Sequence, residues 1–341
     1  MSRPLRVAGI GAGYFSQFHY DGWHRHKSVT LVGICDHDTE RAARLAADYG
    51  APAVFGDAAA MLDAVAPDLV DIITPPESHA ALVALARSRN IAAVCQKPLA
   101  PDFETARAMA EQSASGPLLV VHENFRFSPW YREAKRLIDG GGLGAPYGIA
   151  FRLRPGDGQG PQAYLHRQPY FQDMPRFLIH ETAIHFVDVF RYLMGEVSGL
   201  VARLRRLNPA IAGEDAGIVL FEFANGAQGL FDGNRLSDFV AEDPRLTMGD
   251  MLMDGAAARL RLDGDGGLWL KPHGGAEAPH AYAWTARGFA GDCVFRLQDH
   301  VIAHLLEGAP LENRAADYIR NLEIEEAIYR SAEEGRWVNL L

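Results

Sequence analysis

Leu5-Arg6-Val7-Ala8-Gly9-Ile10-Gly11-Ala12-Gly13-Tyr14-Phe15-Ser16 decides the fold. A short run of β-formers enters a G-x-G-x-x-S turn, and a helical stretch follows. In a βαβ unit the first glycine of such a turn permits the tight bend, and the second lets a pyrophosphate approach the backbone. The helix behind it aims unpaired N–H groups and a partial positive charge at that anion. Ser16 fills the third slot, where a small residue still lets helix and strand pack closely. Asp36 stands 25 residues after Gly11, near the ~20-residue offset at which a carboxylate accepts from the adenosine ribose hydroxyls. A carboxylate there repels a 2′-phosphate, so NAD is preferred over NADP, with His37 next door leaving room for dual use. A plain turn, with Asp36 capping the next helix, is the competing reading.

Outward from this stretch, apolar runs at residues 30–35, 69–74, 92–95 and 118–122 read as buried parallel strands. Between them, 40–49, 78–89 and 102–113 are rich in Ala, Leu, Glu and Arg and read as helices. Residues 1–123 are therefore expected to form a Rossmann-type, doubly wound parallel α/β sheet that binds NAD. After Asn124 the pattern changes. One helix opens at Ser128-Pro129 and ends at the glycines of 140–142. Strand patterns then occupy 147–154, 199–207, 217–223, 227–234, 246–253, 258–262 and 267–271, with Asn225-Gly226 and Asp263-Gly264 as turns. Helices are expected over 179–194, 293–306 and 317–334. Residues 124–341 thus read as an α+β domain with a large, mostly antiparallel open sheet, for substrate binding and oligomerisation. Strands with apolar residues on more than one face point to a homodimer or homotetramer through that sheet. The stretches 156–161 and 272–279 are expected to be mobile loops.

Composition sets the class. A chain of 341 residues exceeds what one core usually spans, and 48% apolar with 22% charged residues suits an ordinary folded enzyme. A formal charge of −10 with no basic stripe makes nucleic acid a poor partner. Cys35, Cys95 and Cys293 are odd in number, widely spaced and without metal-ligand spacing, which fits reduced thiols. The first residues run straight into a strand pattern, with no long apolar region and no twin-Arg signal. Cytoplasmic location without membrane insertion is the expectation.

Strand carboxyl ends border the ligand crevice of an open α/β sheet. There stand Thr74-Pro75-Pro76-Glu77-Ser78-His79 and Gln96-Lys97-Pro98. Tyr14, Phe15, Ser16, His37, Thr74, Pro75, His79, Gln96 and Lys97 join Gly11, Gly13 and Asp36 as expected cofactor contacts. Lys97 can reach a substrate hydroxyl and favour its alkoxide; a solvated surface lysine is the competing reading. In the helix expected over 179–194, Glu181, His185 and Asp188 fall at i, i+4 and i+7, on one stripe. A carboxylate beside an imidazole orients it as a base, although such a stripe can also simply face water. His180-Glu181 with His185 resembles the zinc signature H-E-x-x-H, but the second histidine falls at i+5, about 140° around an α-helix. The Asp263-Gly264-Asp265-Gly266-Gly267 stretch carries Gly274 where a calcium loop needs glutamate, so it reads as a hairpin turn. No metal site is expected.

Taken in order, several motifs resemble the glucose-fructose oxidoreductase and inositol dehydrogenase family, written Gfo/Idh/MocA. They are Gly11-Ala12-Gly13 with His19, Asp36, Thr74-Pro75-Pro76 with His79, Lys97-Pro98, Arg126 with Pro129, Glu181 with His185 and Asp188, and a closing helix over 318–331. The resemblance implies that Lys97, Glu181 and His185 carry catalysis: His185 takes the hydroxyl proton, Lys97 polarises the same oxygen and Glu181 orients His185. It implies dehydrogenation of a sugar, polyol, cyclitol or related compound, with Arg126, Tyr164, His166, His180 and Asn234 as candidates to hold substrate hydroxyls. Gln96 stands where the family usually has Glu, and Glu181 where it usually has Asp. An NAD-dependent glycosidase would carry the same first motifs and cleave a glycoside without net redox. A non-catalytic NAD-binding regulator is a third reading, against which Lys97 and His185 argue.

Overall fold

A computed structural model describes residues 3–340, so Met1, Ser2 and Leu341, at the ends of the two expected domains, lie outside the described residues. By internal packing the chain divides into two units: Met1–Asn124 with Val294–Arg320, and Phe125–Cys293 with Asn321–Leu341. Residues 294–320 therefore go with the first unit, although no local pattern marks them as part of it.

The first unit is built on six parallel strands, β1 (Leu5–Ile10), β2 (Val29–Cys35), β3 (Val54–Phe55), β4 (Leu69–Ile72), β5 (Ala92–Gln96) and β6 (Leu119–His122), in the order β3-β2-β1-β4-β5-β6. This is the doubly wound order, and its direction reverses between β1 and β4, where Ile10 lies beside Ile72. Strands β4 and β6 are buried along their whole length, Asp71 and His122 included. The connecting helices are α1 (Ser16–Arg25), α2 (Thr39–Tyr49), α3 (Ala58–Val65), α4 (His79–Ser88) and α5 (Phe103–Ser113). Asp38, Asp57 and Asp102 cap α2, α3 and α5 by accepting the N–H groups of Arg41, Ala60 and Thr105, contacts typically worth about 1 kcal/mol each. The two-residue β3 and the eight-residue, alanine-rich α3 escape a periodicity reading because neither completes a pattern.

In the second unit α6 (Pro129–Asp139) and β7 (Pro146–Leu153) come first, and α7 (Ile184–Met194) follows a wide turn at Leu178–Ala183. Then come β8 (Val197–Arg205), β9 (Ala216–Phe223), β10 (Gln228–Asn234), the single turn α8 (Pro244–Thr247), β11 (Gly249–Gly255), β12 (Ala258–Leu262), β13 (Leu268–Pro272) and β14 (Ala278–His280). Helix α9 (Cys293–Glu307), which apart from Cys293 belongs to the first unit, and α10 (Ala315–Glu334), which passes from the first unit to the second after Arg320, precede β15 (Val338–Asn339). The nine strands form one sheet, β14-β13-β12-β11-β7-β10-β9-β8-β15. Among the described pairings only β7 with β10 is parallel. One face is covered by α7, with Phe186 against Phe151 and Phe231 and Phe190 against Phe221. On β9 the opposite face presents Ile218 and Leu220, each nearly half exposed.

Three expectations change here. The strand expected over 246–253 starts at Gly249, because Asp243 caps a helical turn at Pro244–Thr247 that ends with Met248 at a φ of +61°. The stretch 272–279 ends in strand: Leu268 to Leu270 pair with Ala278 to His280, so it is a hairpin connection. Within 156–161, Asn208 Nδ2 donates to the Gly158 and Gly160 carbonyls, both at 2.8 Å, which pins this loop beside β10. The 263–267 stretch is the hairpin turn between β12 and β13, with Asp263 Oδ1 accepting the Gly267 N–H.

The regular helix expected over 179–194 also begins differently, as a π-helical turn at Leu178–Ala183. Glu214, just ahead of β9, caps its start. Its Oε1 accepts the N–H groups of Phe177 and Ile179, and its carbonyl accepts that of Leu178. These first donors of the helix have no acceptor within it, and further on the turn closes with the Ile184 N–H on the Ile179 carbonyl, five residues back.

Candidate active site

In the first unit the glycine loop separates two demands on glycine. Gly11 has a φ of +112°, and a Cβ there would lie 2.4 Å from the Ile73 carbonyl oxygen. The chain itself requires glycine at this position. At Gly13, which is exposed, a Cβ would meet nothing within 4 Å among the described residues. The space in front of it is open to a ligand. Buried Ser16 donates its hydroxyl to the Gly13 carbonyl at 2.7 Å and closes the turn. Among the described residues no side chain caps α1, whose Ser16 and Phe18 N–H groups make long turn bonds of 3.2 Å to the Gly13 and Phe15 carbonyls. Tyr14 is exposed, and Phe15 packs on Phe18 and on the edge of His19.

Asp36, at the end of β2, is half-buried and faces this loop. Its Oδ2 accepts the Ala12 N–H at 2.6 Å and its Oδ1 the Asp38 N–H at 2.8 Å, while His37 is exposed. The cap of α2 is Asp38, so Asp36 belongs to the glycine loop and keeps lone pairs for ribose hydroxyls. Open space at Gly13, an uncapped helix and this carboxylate together fit a dinucleotide: loop 11–16 would hold its pyrophosphate and Asp36 its ribose.

The loops after β4 and β5 are stapled to each other by His79. Its Nε2 lies 2.8 Å from the Thr74 carbonyl, and its Nδ1 lies 3.0 and 3.2 Å from those of Pro98 and Leu99. Burial holds its pKa below the usual histidine value, against the pull of these carbonyls. Ser78 donates to the Thr74 hydroxyl at 2.7 Å, next to exposed Pro75. Lys97 is half-buried, its N–H held by Gln96 Oε1 at 3.0 Å, and the Lys97-Pro98 bond is cis. The Gln96 amide nitrogen turns inward, 2.7 Å from His19 Nε2 and 3.3 Å from His122 Nδ1. His19 Nδ1 and Trp23 Nε1 both donate to Asp71 Oδ2, at 2.7 and 2.6 Å. His19, Asp71 and His122 are all buried.

In the second unit His185 lies flat on Phe125, ring centroids 4.0 Å apart and planes 7° from parallel, with 7% of its surface exposed. Glu181 accepts from the Thr182 hydroxyl and pairs with Arg235 Nη1 at 3.3 Å. Arg235, 1% exposed, also binds Asp157 through Nη2 at 2.8 Å and Nε at 3.2 Å, with Phe177 and Tyr164 beneath its guanidinium. Burial alone would lower its pKa, but Asp157, Tyr164 and Glu181 outweigh that and raise it. Asp188 is committed to Arg126, which donates to it twice at 2.7 and 2.6 Å, and to Asn321 at 2.7 Å.

The stripe read from α-helical spacing is thus drawn to three sets of partners. Of the residues expected near substrate, Arg126 is paired with Asp188, and Tyr164 is buried with its hydroxyl 3.2 Å from Asp157. The carboxamide of Asn234 accepts from Leu236 and Ser237. His180 Nδ1 meets buried Glu325 at 2.6 Å, and His166 is exposed. The α-helical angle used to separate His180 from His185 does not hold through a π turn. The two rings are nonetheless differently engaged, and no group of three His, Cys, Asp or Glu among the described residues could hold a metal ion. Among the described residues no helix is long and apolar enough to cross a membrane. Asp71, His122, Asp157, Arg235 and Glu325 went unnoticed in the sequence. The strand-end rule that picked Lys97 would also have picked His122, whereas the others meet their partners only in the folded chain.

Residues 5–123 match the family model described as an oxidoreductase family with an NAD-binding Rossmann fold, and residues 131–248 match the GFO/IDH/MocA C-terminal domain. D-apiose dehydrogenase of Paraburkholderia graminis is 35% identical over 99% of this chain and 90% of its own length. D-apiose dehydrogenase of Rhizobium rhizogenes is 31% identical over 98% of this chain and 97% of its own. Among solved structures, an oxidoreductase from Agrobacterium radiobacter, in complex with NAD+, L-tartaric acid and magnesium, is similar with a TM-score of 0.87 and 31% identity, covering 98% of both chains.

Proposed function

Since the chain belongs to the Gfo/Idh/MocA oxidoreductases and carries their NAD-binding Rossmann domain over residues 5–123, we propose that it oxidises a hydroxyl or hemiacetal carbon of a small sugar, with His185 as the base and Lys97 polarising the reacting oxygen. The observation that carries this reading is the likeness, along nearly the full chain, to two D-apiose dehydrogenases. Sugars, polyols and cyclitols are the substrate class, and D-apiose is the first to try. Bound NAD+ supplies the hydride acceptor. Lys97 lends positive charge where the alkoxide develops. His185, its plane fixed by Phe125, takes the hydroxyl proton, and Glu181 orients that imidazole while Arg235 and Thr182 hold its carboxylate.

A screen of D-apiose, other aldoses, inositols and sugar acids for NAD reduction, read at the nicotinamide absorbance, tests the class. Lys97→Ala and His185→Ala should each lower kcat by about 100-fold or more; unchanged turnover in either removes that residue's assignment. Exposed Ile218 and Leu220 on β9 support a homodimer or homotetramer formed through the second-unit sheet. A monomeric mass by light scattering would refute the oligomer.

A further inference from the structure

Both ends of the buried Gln96 carboxamide are specified by their neighbours. Its oxygen faces the Lys97 N–H at 3.0 Å. That donor leaves no choice of orientation, because a flipped amide would point N–H at N–H. The amide nitrogen therefore donates, and its two hydrogens are directed at His19 Nε2 and His122 Nδ1. Each of those ring nitrogens must offer a lone pair. His19 then carries its proton on Nδ1, where Asp71 Oδ2 accepts it at 2.7 Å, and His122 carries its own on Nε2. The two rings lie 4.0 Å apart, an arrangement that suits two neutral imidazoles. Asp71 Oδ2 also accepts from Trp23, and Gln298 anchors the His19 carbonyl at 3.0 Å.

We propose that Gln96 is a positioning residue for Lys97: its carboxamide moors the Lys97 peptide to the buried Asp71–His19 pair and to His122, and selects the Nδ1–H form of His19 and the Nε2–H form of His122. This rests on the reading of Lys97 given above for its consequence in catalysis, but not for the mooring itself. A glutamate at 96 could still accept the Lys97 N–H, yet it would face two ring lone pairs with no hydrogen to offer. One imidazole would then have to turn an N–H toward the carboxylate, and a change of tautomer at His122 is enough to do so. The other titratable groups nearby are Asp71 on β4, Cys95 on β5, Glu123 just after β6, Tyr20 on α1 and Lys97 itself. Cys95 and Tyr20 are both held well above their ordinary pKa values by burial first and by Asp71 second.

The test is two-bond 1H–15N NMR on protein labelled at histidine, with His19→Asn and His122→Asn spectra to assign the two rings. The expected result for the wild type is Nδ1–H for His19 and Nε2–H for His122. An Nε2–H or doubly protonated His19 overturns the proposal without recourse to any variant at 96. Gln96→Glu should move the His122 proton to Nδ1, and its kcat for D-apiose, or for the best sugar of the screen, should fall about 10- to 100-fold with KM little changed. Gln96→Met, which offers neither donor nor acceptor, should lower kcat by a similar factor with a wild-type pH profile. A Gln96→Glu enzyme with wild-type kcat overturns the positioning role. Full activity of Lys97→Ala, beside the expected tautomers, would instead overturn the catalytic reading and leave the mooring standing.

Discussion

Around the glycine loop of the first unit, polar groups are satisfied by backbone close at hand: Asp36 by the N–H groups of Ala12 and Asp38, and Ser16 by the Gly13 carbonyl. Around the π turn of the second unit they are satisfied by side chains from distant parts of the chain. Glu181 meets Arg235 across 54 residues, His180 meets Glu325 across 145, and Tyr329 meets Glu214 across 115. The first region is shaped by what its backbone can adopt. The second is shaped by buried charge that must be matched. One should therefore fail when a methyl group is added and the other when a charge is removed.

The largest effect should come from Arg235→Met. It keeps an unbranched apolar stem but leaves Asp157 and Glu181 without the guanidinium between them, and loss of one partner from a buried ionic group costs about 3–5 kcal/mol. A lower urea midpoint with an unchanged slope would register it; a loss below about 1 kcal/mol would mean that this cluster does not hold the second unit together. Gly11→Ala follows, at about 3 kcal/mol, because it must adopt a φ of +112° and displace the Ile73 carbonyl as well. Gly13→Ala sharpens the contrast inside one loop. Its melting temperature should match the wild type within error, while NADH affinity, read by nicotinamide fluorescence, should weaken about 10-fold, or 1.4 kcal/mol. Equal loss of stability in both alanine variants would break the distinction between a glycine that serves the chain and one that serves the ligand.

The same contrast explains what could be read before the fold was known. The β1–α1 turn, the parallel strands, Asp36 and the strand-end position of Lys97 follow from short-range backbone rules, and each is present where those rules put it. The helical stripe of Glu181, His185 and Asp188 was legible as spacing but not as geometry. The segment opens with a π turn capped by Glu214 from outside it, and nothing within 178–194 announces either. Arg235 was invisible for a similar reason: an arginine after an alternating strand reads as a solvated end until Asp157, Glu181 and three aromatic rings close around it. Gln96 falls between the two. Its position was legible, but the inward turn of its carboxamide depends on His19 and His122, which arrive from two other elements.

The smallest expected effect concerns His79, which belongs to the backbone-governed region yet is itself titratable. Its ring bridges the Thr74 carbonyl on one side and those of Pro98 and Leu99 on the other, and burial lowers its pKa from 6.5 in spite of them. A histidine whose folded pKa is depressed contributes stability that is fully present above its unfolded value. That contribution drains away as the pH falls below about 6.5 toward the lower folded value, because the unfolded chain takes up a proton that the folded one resists. Between pH 7 and pH 5 the wild type should therefore lose more unfolding free energy than His79→Asn, by less than about 1.4 kcal/mol per pH unit. Unfolding by urea at several pH values measures it. If the two proteins instead respond in parallel, the imidazole takes up its proton as readily in the fold as outside it, and the three carbonyls prevail over burial.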